Sequence, residues 1–259
     1  MTGPTNDNGE ARAPALRVDQ LAKRFDGAAA PVWSEVSFAV PAGQSVAIIG
    51  GNGTGKSTLL RCCLRLIEPS AGDIHLHGER LTGSRAHHLR RMRSSVGFVF
   101  QKHNLVPRLS ALSNVLHGGL ARGRGPRHWH QALARREDRE YALRCLEQVG
   151  LADLAGRRAD HLSGGQSQRV AIARALMQRP RTLFADEPVA SLDPQAGEEV
   201  METFAALTRE RGLTLIFVSH HLEHALRYAD RVLGLRRGRL YLDALTAGES
   251  IGSLRNLYE

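Results

Sequence analysis

The segment Gly50-Gly51-Asn52-Gly53-Thr54-Gly55-Lys56-Ser57-Thr58 decides the fold of this chain. It follows the apolar residues 45–49 and precedes a helical pattern through Leu59, Leu60 and Leu64, so it predicts a strand, a glycine-rich loop and a helix. The spacing Gly-x4-Gly-Lys-Ser is typical of a loop whose backbone amides and helix N-terminus cradle phosphate groups. We therefore expect Lys56 to bind the β- and γ-phosphates of a nucleotide, and the Ser57 hydroxyl to bind Mg²⁺.

The composition of the chain names no partner. Its 259 residues suffice for one large domain or two small ones, and 35 Lys+Arg against 26 Asp+Glu give a net charge of +9. Such a charge can attract nucleic acid or an anionic membrane face, but a general arginine bias accounts for it equally well, because the arginines are scattered along the chain.

Cysteine usage and hydropathy predict a soluble, cytoplasmic protein. Cys62, Cys63 and Cys145 lack the spacing of a metal site and are expected to be reduced. No apolar run approaches the roughly 20 residues needed to span a bilayer. The first residues also lack an apolar signal segment.

The order of the patterns predicts an α/β domain with a helical insert. Residues 1–15 are polar and rich in glycine and proline, which indicates a disordered tail, and residues 16–259 form the folded domain. Alternating apolar residues in the stretch 16–40 predict an antiparallel β subdomain. Residues 102–162 have helical periodicity and form the insert, and residues 166–218 alternate between helix and apolar strand, as a parallel sheet requires.

Two acidic residues follow the apolar strand predicted over residues 182–185. Carboxylates at the end of a strand are usually part of a solvated turn. In a phosphate-loop fold, however, a neighbouring strand delivers its carboxylate beside the bound metal, so we expect Asp186 to lie next to Mg²⁺. Glu187 is then the candidate base that orients and deprotonates the attacking water.

A second glycine-rich segment, Leu162-Ser163-Gly164-Gly165-Gln166, precedes a strongly helical run. It predicts a second anion-binding helix N-terminus, far from the first in the sequence. A head-to-tail homodimer in which each chain completes the other's site would bring both segments to one nucleotide.

Six motifs in this order resemble those of ABC-type ATPases. They are the loop at 50–58, Gln101, the segment at 162–166, the acidic pair at 186–187, Ser191-Leu192-Asp193, and Ser219-His220. The resemblance implies the P-loop NTPase ABC-ATPase fold, with ATP bound by residues 50–58 of one chain and by Ser163, Gly164, Gly165 and Gln166 of the other.

The resemblance also implies roles for three residues outside these glycine segments. Phe25 matches the aromatic residue that stacks on adenine, although a core phenylalanine is the plain alternative. Gln101 matches the glutamine that senses Mg²⁺ and the attacking water, and His220 the histidine that contacts the γ-phosphate. The position after that histidine is often acidic in the family but is His221 here.

A finer resemblance lies after Gln101. Residues 104–106, 108–112 and 114–116 are similar to the ATP-binding subunit of phosphonate importers, and importers of phosphite or hypophosphite would carry much the same blocks. This implies a peripheral ATPase on the cytoplasmic face of the inner membrane, with two copies of a permease subunit and a separate solute-binding protein. Other cargo, lipoprotein release or efflux remain alternatives. A non-transport ABC ATPase acting on nucleic acid is disfavoured, because paired cassettes and a long coiled-coil insert are missing.

Two surfaces stay open to two interpretations. Leu105, Val106, Leu109 and Leu112 would line a groove for the permease or form the core of the helical insert. The basic stretch 122–136 would approach anionic headgroups or be a solvated face.

Overall fold

The computed structural model describes residues 13–122 and 131–258. The chain divides into two units, whose described parts are residues 13–89 with 211–258, and residues 90–122 with 131–210. Most of the predicted tail, residues 1–12, and most of the basic stretch lie outside the described residues. Ala15, which the sequence places in the tail, is buried: its amide donates to the Val40 carbonyl at 2.8 Å.

The first unit contains the antiparallel strands and the phosphate-loop strand. A four-stranded antiparallel sheet has the order β2-β1-β4-β5, formed by β1 (Leu16–Lys23), β2 (Trp33–Val40), β4 (Ala71–Leu76) and β5 (Glu79–Arg80). In a second group of strands, β3 (Ser45–Gly50) pairs in parallel with β8 (Thr214–Val218) on one side and with β9 (Arg231–Arg236) on the other. Strand β10 (Arg239–Leu245) pairs with β9 in the antiparallel direction. Every residue of β3 and β8 is buried, as a strand covered on both faces requires.

The helices of the first unit follow the strands closely. They are α1 (Lys56–Cys62), α7 (Leu222–Tyr228), α8 (Ile251–Arg255) and the start of α2 (Ala86–Arg93). The sequence predicted α1, but α2 and α7 were missed. Cys62 and Cys63 are both buried, and burial raises the pKa of both thiols, that of Cys62 to about 12, so neither is a reactive thiolate.

The second unit contains the helical insert and two parallel strands. Its strands are β6 (Val96–Val99) and β7 (Thr182–Asp186). Its helices are α3 (Ala111–Leu116), α4 (Arg136–Glu147), α5 (Gly164–Leu176) and α6 (Pro194–Arg211), with 3-10 turns at His117–Arg122, Ala152–Leu154 and Ala159–His161. A Cβ added to Gly118 would lie 2.0 Å from the Arg174 carbonyl, so only glycine lets this turn approach α5.

Candidate functional site

The predicted phosphate loop joins β3 to α1. Lys56 begins the helix and is only 4% exposed. Its ammonium donates to the carbonyls of Gly50 and Gly51, both at 2.9 Å. The fold therefore holds a lysine cation inside the loop, at the positive end of a helix.

Two glycines of this loop are required by its geometry. Gly55 has φ 86°, and a Cβ there would lie 2.3 Å from Val32 Cγ1 and 2.8 Å from Trp33 Cδ1. Gly50 has φ 144°, and its Cβ would lie 2.3 Å from the Leu235 carbonyl oxygen. Gly55 is also the N-cap of α1 and offers no side-chain acceptor, so no side-chain cap binds the first amides of the helix.

His220 lies at the same edge of the strands as the loop. Strand β8 pairs in parallel with β3, with Val218 opposite Ile48, and the Ser219 amide donates to the Ile48 carbonyl at 3.2 Å. The Ser219 hydroxyl accepts from the His221 amide at 3.0 Å, which fixes the turn that presents the half-buried His220. Because parallel strands end at a common edge, the histidine and the loop belong to one face of this unit.

Phe25 follows β1 on the surface of the first unit. Its side chain is 44% exposed, so the plain alternative of a core phenylalanine is wrong. The Lys23 ammonium lies 4.7 Å from the centroid of the ring.

The second unit brings the acidic pair and Gln101 to one edge. Strands β6 and β7 pair in parallel with Val99 opposite Ala185, so Asp186, the last residue of β7, and Gln101, two residues after β6, lie at the same end of the two strands. Asp186 is 1% exposed and Gln101 is exposed. Glu187 has φ 49°, a left-handed conformation that costs a non-glycine residue on the order of 1 kcal/mol and that seven other non-glycine residues of the described chain share.

The helix N-terminus predicted at Ser163 has a feature that we did not read from the sequence. Ser163 is the N-cap of α5 and forms a capping box: its hydroxyl accepts from the Gln166 amide at 3.2 Å, and the Gln166 side chain accepts from the Ser163 amide at 3.0 Å. The pattern Ser-x-x-Gln before a helical run was the available signal.

The two glycines of this segment pack against the start of α6. A Cβ on Gly164 would lie 3.1 Å from Leu192 Cδ2, and one on Gly165 would lie 3.0 Å from Ala196 Cβ. The Asp193 carboxylate accepts from the Ala196 amide at 3.0 Å and so fixes that end of α6. The predicted Ser191–Asp193 segment and the glycine segment are thus neighbours within this unit.

The segment after Gln101 is held by the buried Asn114 and the half-buried Arg174. Asn114 accepts from the Val106 amide at 2.7 Å and donates to the Ser110 carbonyl at 3.1 Å. Arg174, which sequence reasoning missed, donates to the carbonyls of His103 and Asn104 at 2.7 and 2.6 Å, and burial lowers its pKa. The four apolar residues of this segment are not a closed core: Val106 is 42% exposed, and Leu105, Leu109 and Leu112 are partly exposed.

The predicted site residues are thus distributed over the two units. The first holds the phosphate loop, Phe25 and His220, and the second holds Gln101, the acidic pair and the glycine segment at α5. The model of the ABC transporter family matches residues 33–190. The chain belongs to the ABC transporter family.

Relatives and solved structures support membership of the ABC transporter family over almost the whole chain. The chain is 43% identical over 254 residues to "Phosphonates import ATP-binding protein PhnC 2" of Pseudomonas savastanoi pv. phaseolicola, covering 94% of this chain and 89% of that protein. It is 44% identical to "Phosphonates import ATP-binding protein PhnC" of Stutzerimonas stutzeri, with the same coverage. The dimeric, post-hydrolysis structure of the ATP-binding cassette MJ0796 bound to ADP and Pi matches with TM-score 0.77 and 31% identity, covering 89% of this chain and 98% of that one.

The predicted family and the P-loop ABC-ATPase fold are confirmed by these matches. Within residues 13–122 and 131–258, no helix combines the length and the apolar character needed to cross a membrane.

Proposed function

We propose that this chain is the ATP-hydrolysing subunit of an importer for phosphonates and works through a separate permease. The observation that carries the proposal is the 43% and 44% identity, over 94% of the chain, to two proteins named as phosphonate import ATP-binding proteins.

ATP would bind first to the phosphate loop. The buried Lys56 cation, the uncapped N-terminus of α1 and His220 at the same strand edge all support binding of a triphosphate there. The exposed ring of Phe25 supports its role in stacking on adenine. His220 would contact the γ-phosphate.

Gln101, Asp186 and Glu187 would act on the same nucleotide. Glu187 would orient the attacking water and accept its proton, and Gln101 would help to place that water. The position of Glu187 directly after Asp186, the last residue of β7, supports this role.

The donor set fits a magnesium ion. The buried Asp186 carboxylate, the Ser57 hydroxyl in the first turn of α1 and the Gln101 side-chain carbonyl supply the oxygen ligands that Mg²⁺ prefers, and these three residues would hold it. The ion, when bound, would neutralise charge on the β- and γ-phosphates.

The working unit would be a homodimer with two permease subunits and a separate solute-binding protein, at the cytoplasmic face of the inner membrane. Ser163, Gly164, Gly165 and Gln166 would bind the nucleotide held by the partner's loop, and the exposure of Ser163 and Gly164 supports this. The exposed Val106 and its apolar neighbours support a permease contact at the segment after Gln101.

The variant Glu187→Gln tests the chemistry. It should bind ATP as the natural chain does but hydrolyse it at least ~10²-fold more slowly, because it loses a positioned general base. Turnover is measured as phosphate release and binding by calorimetry. Hydrolysis at the natural rate would remove Glu187 from this role.

A growth assay tests the cargo. A strain lacking the chain should fail to grow on phosphonate as sole phosphorus source and should grow on phosphate. Loss of growth on phosphite alone would favour the phosphite alternative, and normal growth on all three sources would refute a role in phosphorus uptake.

A further inference from the structure

The exposed ring of Phe25 is accompanied by a cation. The Lys23 ammonium lies 4.7 Å from the ring centroid, within the range in which a cation is attracted to the face of an aromatic ring. Lys23 is itself half-buried, whereas 44% of the Phe25 side chain is exposed. The ammonium therefore covers one part of the ring and leaves another part to solvent.

Hydrogen bonds fix the ammonium in this place. The Lys23 Nζ donates to the Glu68 carbonyl at 2.8 Å, and the Lys23 carbonyl accepts from the Val32 amide at 2.7 Å. The next residue is held as well, since the Arg24 amide donates to the Ser70 hydroxyl at 3.0 Å. Because hydrogen bonds hold the backbone of Lys23, the backbone of Arg24 and the Lys23 ammonium, the side chain loses little conformational entropy when a ligand binds.

The Lys23 ammonium contacts a backbone carbonyl and the ring, and it does not contact a carboxylate. The Glu68 carboxylate is bound by Arg65, with a Nη2 to Oε2 distance of 3.0 Å, so only the backbone of Glu68 serves Lys23. Across the described parts of the chain, no carboxylate forms an ion pair with Lys23. The Glu68 carbonyl accepts one hydrogen bond from this ammonium, and the negative face of the Phe25 ring is its second counterpart.

We propose that Lys23 is a positioning residue for the purine base: it holds the Phe25 ring from one side, so that the base stacks on the remaining exposed surface. The inference rests on the proposed role of Phe25 as the stacking residue. A ring that is already fixed loses less rotational freedom on binding, which adds affinity for the base and none for the phosphates.

The test compares a ligand that has the base with one that lacks it. The binding of ATP and of inorganic triphosphate is measured for the natural chain, Lys23→Met and Lys23→Arg. Lys23→Met, which keeps the length of the side chain but removes its charge, should weaken ATP binding about 3- to 10-fold. It should leave triphosphate binding within about twofold and raise the KM for ATP more than it lowers kcat. Lys23→Arg should restore most of the loss, because a guanidinium also stacks on a ring.

A double-mutant cycle with Phe25→Leu separates positioning from a merely structural role. With the ring removed, Lys23→Met should have no further effect on ATP affinity. Equal loss for ATP and triphosphate would overturn the proposal, since Lys23 would then support the phosphate loop or the fold. The proposal would also be overturned if Lys23→Met kept full ATP affinity while Phe25→Leu bound ATP weakly. Unchanged ATP binding in Phe25→Leu would instead refute the stacking role of Phe25 and the role of Lys23 with it.

Discussion

The chain has two glycine-rich helix N-termini that read alike in the sequence and differ in structure. At α1 the N-cap is Gly55 in a left-handed conformation, with no side chain bound to the first amides. At α5 the N-cap is Ser163, and its capping box with Gln166 uses one amide of the first turn and the amide of the N-cap itself. The first terminus has no side-chain cap, whereas the second satisfies part of its donors internally.

The glycines of the two segments serve different ends. Gly50 and Gly55 allow positive φ angles and close approach to the Leu235 carbonyl and to Trp33. Gly164 and Gly165 instead let α5 pack against Leu192 and Ala196. We infer that the first segment binds phosphate by itself, and that the second contributes mainly through the Ser163 hydroxyl and the two glycine amides once a nucleotide is presented to it.

The largest expected difference between the two glycine-rich segments is in their contribution to nucleotide binding. Lys56→Ala should weaken ATP binding by about 10- to 100-fold, because charge-assisted hydrogen bonds to the phosphates are worth about 1.5–3 kcal/mol. Ser163→Ala should bind ATP almost as the natural chain does but hydrolyse it about 10²-fold more slowly, the scale of one lost donor at the transition state. Calorimetry and phosphate release measure the two effects separately.

Mixing these two variants sharpens the result. A heterodimer of Lys56→Ala with Ser163→Ala has one site in which both segments are natural, so the mixture should recover hydrolysis that neither variant shows alone. If the mixture stays as inactive as its components, the two segments do not complete one site across a dimer.

The next largest effect is on the free energy of unfolding, and it should differ between two glycines of the phosphate loop. Gly55→Ala should lower the free energy of unfolding by about 2–4 kcal/mol, because its Cβ overlaps Val32 and Trp33 and the left-handed backbone is strained. Gly53 has φ 76° but nothing within 4 Å of its Cβ position, so Gly53→Ala should cost only the backbone strain of about 1–2 kcal/mol. Urea unfolding of both variants measures the difference, and equal losses would contradict the close approach at Trp33.

The comparison also shows what the sequence could and could not predict. Local chemistry predicted β3, the loop and α1, since glycine, lysine and an apolar run each have one physical reading at that spacing. Helix α2 was missed because its eight residues include five Arg and His side chains and only one buried residue, Met92, so its apolar periodicity is weak. Arg174 was missed because its partners are backbone carbonyls of residues 103 and 104, which no sequence pattern specifies.

The smallest expected difference concerns the capping box alone. Ser163→Ala removes the side-chain acceptor at the N-cap of α5 and should cost about 1 kcal/mol of unfolding free energy, whereas Ser163→Asn keeps a good N-cap and should cost only a few tenths. Both variants lose the hydroxyl, so both should hydrolyse ATP slowly. Urea unfolding and phosphate release, measured on the same samples, would then show stability restored by Asn without activity. Equal destabilisation by Ala and Asn would mean that the Ser163 to Gln166 bond adds little to the helix, and recovered hydrolysis in Ser163→Asn would assign the function of Ser163 to capping.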